Sequence, residues 1–135
     1  MKKRNVSIIL FIKDNKVLLQ DRRNISKHGE EYGFFGGKIE KDETPGQALK
    51  REIKEELNFD IVDYTLFKKY HHVIKEIGRD VIKHVYIAKI PDLNIITVNE
   101  GRLALMKFED SFKLKMISGD VDLLKEIFES LRNKK

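Results

Sequence analysis

From the N-terminus, the chain opens with two apolar, β-branched runs, Asn5 to Lys13 and Lys16 to Arg22, parted by Asp14-Asn15. Two runs of strand length around a two-residue turn predict a β-hairpin. The pattern becomes polar from Arg23 to Tyr32 and ends in Gly33-Phe34-Phe35-Gly36-Gly37, which predicts a surface loop running into a strand end with special backbone angles. Thr44-Pro45-Gly46-Gln47 then supplies an N-cap, a proline at the first helical position and a glutamine placed for a capping box. The helix it starts should run through Leu57 and stop at Asn58, a residue that tolerates the left-handed C-cap conformation. Phe59-Asp60-Ile61-Val62 reads as strand, as do Tyr64 to Ile74 and Asp80 to Ile90, the latter two split by a turn at Gly78. Pro91 ends that pair, a loop leads through Asn99-Glu100-Gly101, and Leu103 to Phe108 predicts one last strand. From Asp120 onward, Leu123, Leu124, Ile127, Phe128 and Leu131 recur at spacings of three and four, the pattern of an amphipathic closing helix.

This order of hairpin, loop, helix, several strands and final helix favours a mixed sheet with helices packed on its faces. The expected class is α+β, a layered αβα sandwich. At 135 residues the chain is expected to form a single domain over 1–135. Hydrophobic residues make up 41% and charged residues 36%, which gives a core beneath a strongly charged surface and argues against disorder. With no cysteine, a disulfide framework and Cys-ligated zinc or iron–sulfur sites are excluded, and a reducing cytoplasmic setting is the default expectation.

The start, Met1-Lys2-Lys3-Arg4 before an apolar run from Val6 to Ile12, superficially resembles a secretory signal. The apolar part is short, no small-residue cleavage site follows, and Lys13-Asp14-Asn15-Lys16 reads better as a turn after a buried strand. No stretch approaches the roughly 20 apolar residues of a membrane span, so no membrane partner is expected. The net charge of +5 is compatible with attraction to phosphates, but the Lys and Arg residues are scattered, as on any solvated surface.

The helix from Thr44 carries the candidate chemistry. On a wheel at about 100° per residue with Leu49 at zero, Ile53 falls near +40° and Leu57 near +80°, forming the apolar stripe. Glu56 falls near −20°, Glu52 near −60° and Glu55 near −120° by the same arithmetic, so three carboxylates form one acidic stripe beside the buried one. On an ordinary solvated helix Lys50, Arg51 and Lys54 would neutralise them. Two features weigh against that. Glu56 sits at the core margin, where an unpaired carboxylate is costly, and a double-glycine turn precedes the helix and could add a backbone carbonyl to the carboxylates. Oxygen-only ligation of this kind suits magnesium or manganese.

Gly37, five residues, Glu43, seven residues, then Arg51-Glu52-Ile53-Lys54-Glu55-Glu56-Leu57-Asn58-Phe59 resembles the signature box of the Nudix hydrolases, here residues 37–59. Val17 to Arg22 resembles the strand before that box, and Gly36-Gly37-Lys38-Ile39-Glu40 resembles its entry. The chain departs from the pattern at Asn58, where glycine is usual, and at Phe35, where many members have proline. Neither removes a ligand.

The resemblance implies a Nudix-type αβα sandwich with the catalytic loop-helix after a strand. It also implies MutT-like hydrolysis of a nucleoside diphosphate linked to another group, with Mg2+ or, alternatively, Mn2+ as cofactor. Glu52 and Glu56 are then the expected metal ligands with the carbonyl of Gly37, and Glu55 a ligand or the general base. Arg51 is expected to orient a box glutamate, and Glu43 either to support it or simply to favour the positive N-terminal end of the helix. Glu100 matches a loop glutamate that reaches the metal site in several relatives. Arg22 and Lys38 could hold phosphates as cations, and Tyr32, Phe34 and Phe35 could stack on a base, with core packing expected for at least one of the three. His28, His71, His72 and His84 lack ligand spacing and read as structural or exposed.

The expected partner is a phosphorylated small molecule, a nucleotide in the main reading. Nucleic acid enters only as an RNA 5′ end in an alternative reading, and a non-catalytic nucleotide-sensing domain is a second alternative, disfavoured by the intact glutamates. Oligomeric state is open, a homodimer included.

Overall fold

The computed structural model describes residues 3–76 and 78–133, so Met1 and Lys2 of the basic start lie outside the described residues. Strands β1 (Arg4–Lys13) and β2 (Lys16–Asp21) form the expected hairpin, with Asp14 in the left-handed region at φ 56° and Lys13 facing Lys16 across the turn. After the polar loop come two short strands, β3 (Tyr32–Gly33) and β4 (Phe35–Lys38), then helix α1 (Pro45–Leu57). Strands β5 (Thr65–Ile74), β6 (Arg79–Lys89) and β7 (Arg102–Lys107) follow, and helix α2 (Asp120–Arg132) closes the described chain.

Strand β1 organises the mixed sheet. One of its edges runs parallel to β6 from Arg4 to Ile12. Its other edge changes partner: Val6 to Ile9 pair with β4, and Phe11 to Lys13 pair with β2. Beyond that fork β2 carries β3 and β7, while β5 pairs antiparallel to β6 on the far side with an irregularity between Leu66 and Lys68. Ile9, Leu10 and Phe11 are all fully buried, because both faces of the sheet are covered. Ile9, Phe11, Leu18 and Phe35 pack with Leu49, Ile53 and Leu57 of α1 on one face. Leu10, Leu19 and Val85 pack with Leu123, Leu124 and Ile127 of α2 on the other. This is the αβα sandwich.

Local chemistry sets the bounds of α1. The Thr44 hydroxyl accepts from the Gln47 amide and the Gln47 side chain accepts from the Thr44 amide, a reciprocal capping box with Pro45 beginning the helix. Asn58 ends it in the left-handed region at φ 52°, ψ 42°, its amide donating to the Lys54 carbonyl.

One expected element is missing. Phe59 to Val62 is not a strand: Ile61 is buried under the α1 layer while Val62 is 74% exposed, and no neighbouring strand offers this segment a ladder. The apolar alternation there serves packing from an irregular backbone. Two short 3-10 turns, Leu93–Ile95 and Glu109–Lys113, were also not marked by the hydrophobic pattern.

Leu49 is fully buried in the α1 layer. Leu49→Ala is expected to lower unfolding stability by about 3 kcal/mol, read as a shift of the denaturant midpoint; a loss under about 1 kcal/mol would contradict this packing.

Candidate active site

Two glycines bring the strand backbone against the acidic helix. Gly36, at φ 134°, lies opposite Ile8, and a side chain there would overlap the Ser7 carbonyl oxygen. Its amide is thereby aimed at α1 and donates to Glu56 Oε1 at 2.9 Å. A Cβ on Gly37 would stand 2.6 Å from the Glu52 carboxyl carbon, so only glycine lets that carboxylate lie on the backbone. Glu56 is 8% exposed, as its place on the wheel predicts, while Glu52 is half-buried and Glu55 exposed.

Arg51 holds this array in register. Its Nε and Nη2 donate to the two Glu43 carboxylate oxygens at 2.7 and 2.9 Å, and its Nη1 donates to Glu52 Oε1 at 2.9 Å. Nη2 also donates to the Lys38 carbonyl at 3.0 Å, and Glu55 Oε2 stands 3.5 Å from Nη1. Arg51 thus joins the loop, Glu43 and two of the three helix carboxylates, the fork geometry that suits arginine.

The loop carrying Glu100 is docked on the C-terminal end of α1, where helix carbonyls lack partners. The Thr97 amide donates to the Leu57 carbonyl at 3.0 Å and the Asn99 amide to the Glu56 carbonyl at 2.9 Å. The Asn99 side-chain amide donates to the Glu55 carbonyl at 2.6 Å, and that of Asn58 to the Thr97 carbonyl at 2.9 Å. From the other side Gln20 donates to the Glu100 carbonyl at 3.0 Å. Asn99 and Gln20 were missed in the sequence, since nothing local to either residue marks a partner more than 40 positions away.

The electrostatics of this group are those of crowded anions. Burial pushes the Glu56 carboxyl up to about 8; the Gly36 amide opposes the shift and Glu52 and Glu100 add to it. Glu52 is likewise raised by burial, with Glu55 and Glu100 adding to the shift against the pull of Arg51. Like charges held in a low-dielectric margin need a cation or a proton. The donor set, carboxylate oxygens beside a glycine backbone, fits a hard divalent ion. Among the described residues no three such side chains converge into a closed cage.

Beside this group opens a cavity of about 790 Å³. Gly36, Gly37 and Glu100 form the wall nearest the acidic helix, and Arg22, Tyr32 and Phe34 line it from the polar loop. Arg22 is not a free cation. Its Nε donates to Glu30 at 3.0 Å, and Glu30 is 5% exposed. Burial would raise the Glu30 carboxyl, but hydrogen bonds from Ser26, Arg22 and the His28 amide outweigh it and hold it at about 2. Glu30 therefore organises the polar loop, a role its composition did not reveal.

The remaining expected contacts divide. Phe34 both lines the cavity and packs in the α2 layer, whereas Phe35 is fully buried in the α1 layer, as core packing requires. Lys38 is exposed and does not line the cavity. His28 lines the cavity, His71 is exposed near Asp80, and His72 bonds the Ser118 carbonyl at 2.7 Å.

The NUDIX domain family model matches residues 1–126. The CTP pyrophosphohydrolase of Escherichia coli strain K12 is 30% identical over 134 residues, which cover 98% of this chain and 96% of that protein. The 8-oxo-dGTP diphosphatase of Proteus vulgaris is 39% identical over 64 residues, 47% of this chain, and the match spans only 57% of that relative. In three dimensions the E. coli ORF135 protein superposes with a TM-score of 0.78 at 28% identity, covering 100% of this chain and 94% of that one. A MutT NUDIX hydrolase from Burkholderia pseudomallei, at 23% identity and a TM-score of 0.75 over 93% of this chain and 98% of its own, shares the fold. Among the described residues no helix is long and apolar enough to cross a membrane.

Because the Glu56 carboxyl is raised from an ordinary 4.5 to about 8, its contribution to stability is intact below the unfolded value and lost as pH rises through 8. In chelator, Glu56→Gln should therefore gain in thermal stability relative to the parent protein as pH rises from about 5 to 9. Added magnesium should restore the parent most at the alkaline end. Parallel melting curves across pH would contradict the assignment.

Proposed function

Because the chain belongs to the NUDIX family of hydrolases, with pyrophosphohydrolases among its relatives, we propose that it cleaves a diphosphate linkage in a nucleoside triphosphate or related nucleotide. The products are a nucleoside monophosphate and either pyrophosphate or a phosphorylated group. The observation that carries this reading is a buried carboxylate, Glu56, bonded to the Gly36 amide and crowded by Glu52 and Glu100, with Gly36, Gly37 and Glu100 lining a nucleotide-sized cavity beside it.

Glu52, Glu56 and the Gly37 carbonyl are the groups that would hold a divalent ion, with Glu100 reaching in from its docked loop. Held there, a divalent ion would supply neutralisation of charge on the phosphoryl oxygens that water attacks. Arg51 keeps Glu52 turned toward the glycine backbone, a positioning role supported by its bonds to Glu43 and the Lys38 carbonyl. Glu55 has one carboxylate contact, at 3.5 Å from Arg51, and is exposed, which suits a group that must take a proton from the attacking water. Arg22 lines the cavity with its Nε bonded to Glu30 and its Nη1 to Gln20, which leaves Nη2 as the donor for a phosphate oxygen of the substrate, and Tyr32 and Phe34 are placed for its apolar ring surface. We take residues 1–135 as a single domain and the cytoplasm as its setting, the latter supported by a cysteine-free sequence.

The test is a magnesium-dependent screen of nucleoside triphosphates, nucleotide sugars, dinucleoside polyphosphates and 5′-triphosphate RNA, scoring phosphate, pyrophosphate and monophosphate. Glu52→Gln and Glu55→Gln should each lower turnover on the order of 10²-fold or more, and near-normal rates in both would overturn the site. Arg51→Ala should cost about 10- to 100-fold, as expected for a group that orients a ligand; an unchanged rate would remove it from the machinery.

A further inference from the structure

The end of the cavity away from the acidic helix is polar and built from residues that the hydrolytic site does not use. Arg4 and Val6 of β1 and Val81 and Lys83 of β6 share one face of the sheet, since Arg4 pairs with Val81 and Val6 with Lys83. Helix α2 covers this face farther along, at Leu10 and Val85, and leaves the first turn of the sheet open to the cavity. Lys83 and Asp120 line the opening and are 3% and 7% exposed. Lys83 Nζ donates to Asp120 Oδ1 at 2.6 Å, so the pair is neutral as a unit.

Asp120 is fixed from outside the cavity. His72 bonds the Ser118 carbonyl at 2.7 Å, and the Ser118 amide and hydroxyl both donate to Glu76 at 2.8 Å. The β5–β6 hairpin thus clamps Ser118, and Gly119, at φ 93°, turns the chain so that Asp120 opens the helix at the cavity.

Arg4 is the unsatisfied member. It lines the same cavity, and its Nε is buried with no hydrogen-bond partner among the described residues. Buried guanidinium donors are normally satisfied. The Nε itself is sealed from the cavity, but with Lys83 and Asp120 already paired and no side-chain partner for Arg4 among the described residues, this end carries one surplus guanidinium, and the complement to its outer donors is an uncharged or anionic oxygen acceptor on the ligand.

We propose that Arg4, backed by the Lys83–Asp120 pair, is a specificity-determining residue that binds a carbonyl oxygen of the substrate's base, so that the enzyme favours guanine, cytosine and uracil nucleotides over adenine nucleotides. Adenine is the common base with no carbonyl oxygen. It presents ring nitrogens and an amino donor, and an amino group standing where a carbonyl would be sets a donor against the guanidinium of Arg4. A site built to hydrogen-bond a group discriminates strongly against the analogue that lacks it. The inference rests on the nucleotide-hydrolase reading above for the identity of the ligand, but on separate residues.

The experiment pairs turnover with binding. kcat/KM is measured with magnesium for dGTP, dCTP, dUTP and dATP, and the affinities of GMP, CMP, UMP and AMP are measured in chelator, for the parent protein, Arg4→Met and Arg4→Lys. The parent should favour the carbonyl-bearing bases about tenfold or more in both assays. Arg4→Met should collapse that ratio to within about threefold, and Arg4→Lys, which keeps a cationic donor, should retain part of it. Equal ratios in parent and Arg4→Met, or a parent indifferent to the base, would overturn the proposal even if all four triphosphates are cleaved. If no triphosphate is cleaved while the monophosphates rank as stated, the hydrolase reading fails and the subsite stands. If neither cleavage nor binding is seen, both fail.

Discussion

Everything in the site turns on one unfavourable burial: Glu56 is a carboxylate placed on the core-facing side of α1, with a single amide, that of Gly36, to hold it. Left ionised and alone, such a group would weaken the helix layer that buries it. Its neighbours do not offset that cost: Glu52 and Glu100 add to it, while the Gly36 amide and the charge of Arg22, itself bonded to Glu30, oppose it only in part. Such a cluster favours either a proton or a cation, and that choice links stability to pH in one residue.

The fold supplies the two conditions that make this burial usable. Strand β1 changes partner from β4 to β2, which opens the sheet on the α2 side and leaves the cavity there. The same β4 segment, through Gly36 and Gly37, faces β1 on one side and the α1 carboxylates on the other. A glycine backbone is thin enough to be at once a strand, a cavity wall and a contact surface for Glu52. The loop from Thr97 to Glu100 completes the arrangement by satisfying the end of α1 with its own amides, so that helix capping and delivery of a fourth carboxylate are the same set of hydrogen bonds.

The legibility of these features from sequence follows their range along the chain. Helix α1 was readable end to end because its cap, its apolar stripe and its acidic stripe all lie within one segment, and the wheel placed Glu56 at the margin where it is buried. The hairpin and closing helix were readable for the same reason. Phe59 to Val62 misled because an apolar alternation cannot distinguish a paired strand from an irregular segment that packs one side chain inward, as Ile61 does. The far end of the cavity was invisible: Arg4, Lys83 and Asp120 come from three distant elements, and each alone looks like surface charge. Glu30 and Asn99 went unread likewise, since their roles lie in hydrogen bonds fixed by tertiary contact.

The claim that Glu56 exchanges a proton for a divalent ion is tested most directly by calorimetric titration of magnesium or manganese into the metal-free protein at pH 7, repeated in buffers of different ionisation enthalpy. With its carboxyl held up at about 8, Glu56 should release close to one proton per binding event, and Glu56→Gln should abolish that release and weaken binding. Binding heats independent of buffer, with Glu56→Gln taking the ion as tightly as the parent, would contradict the account.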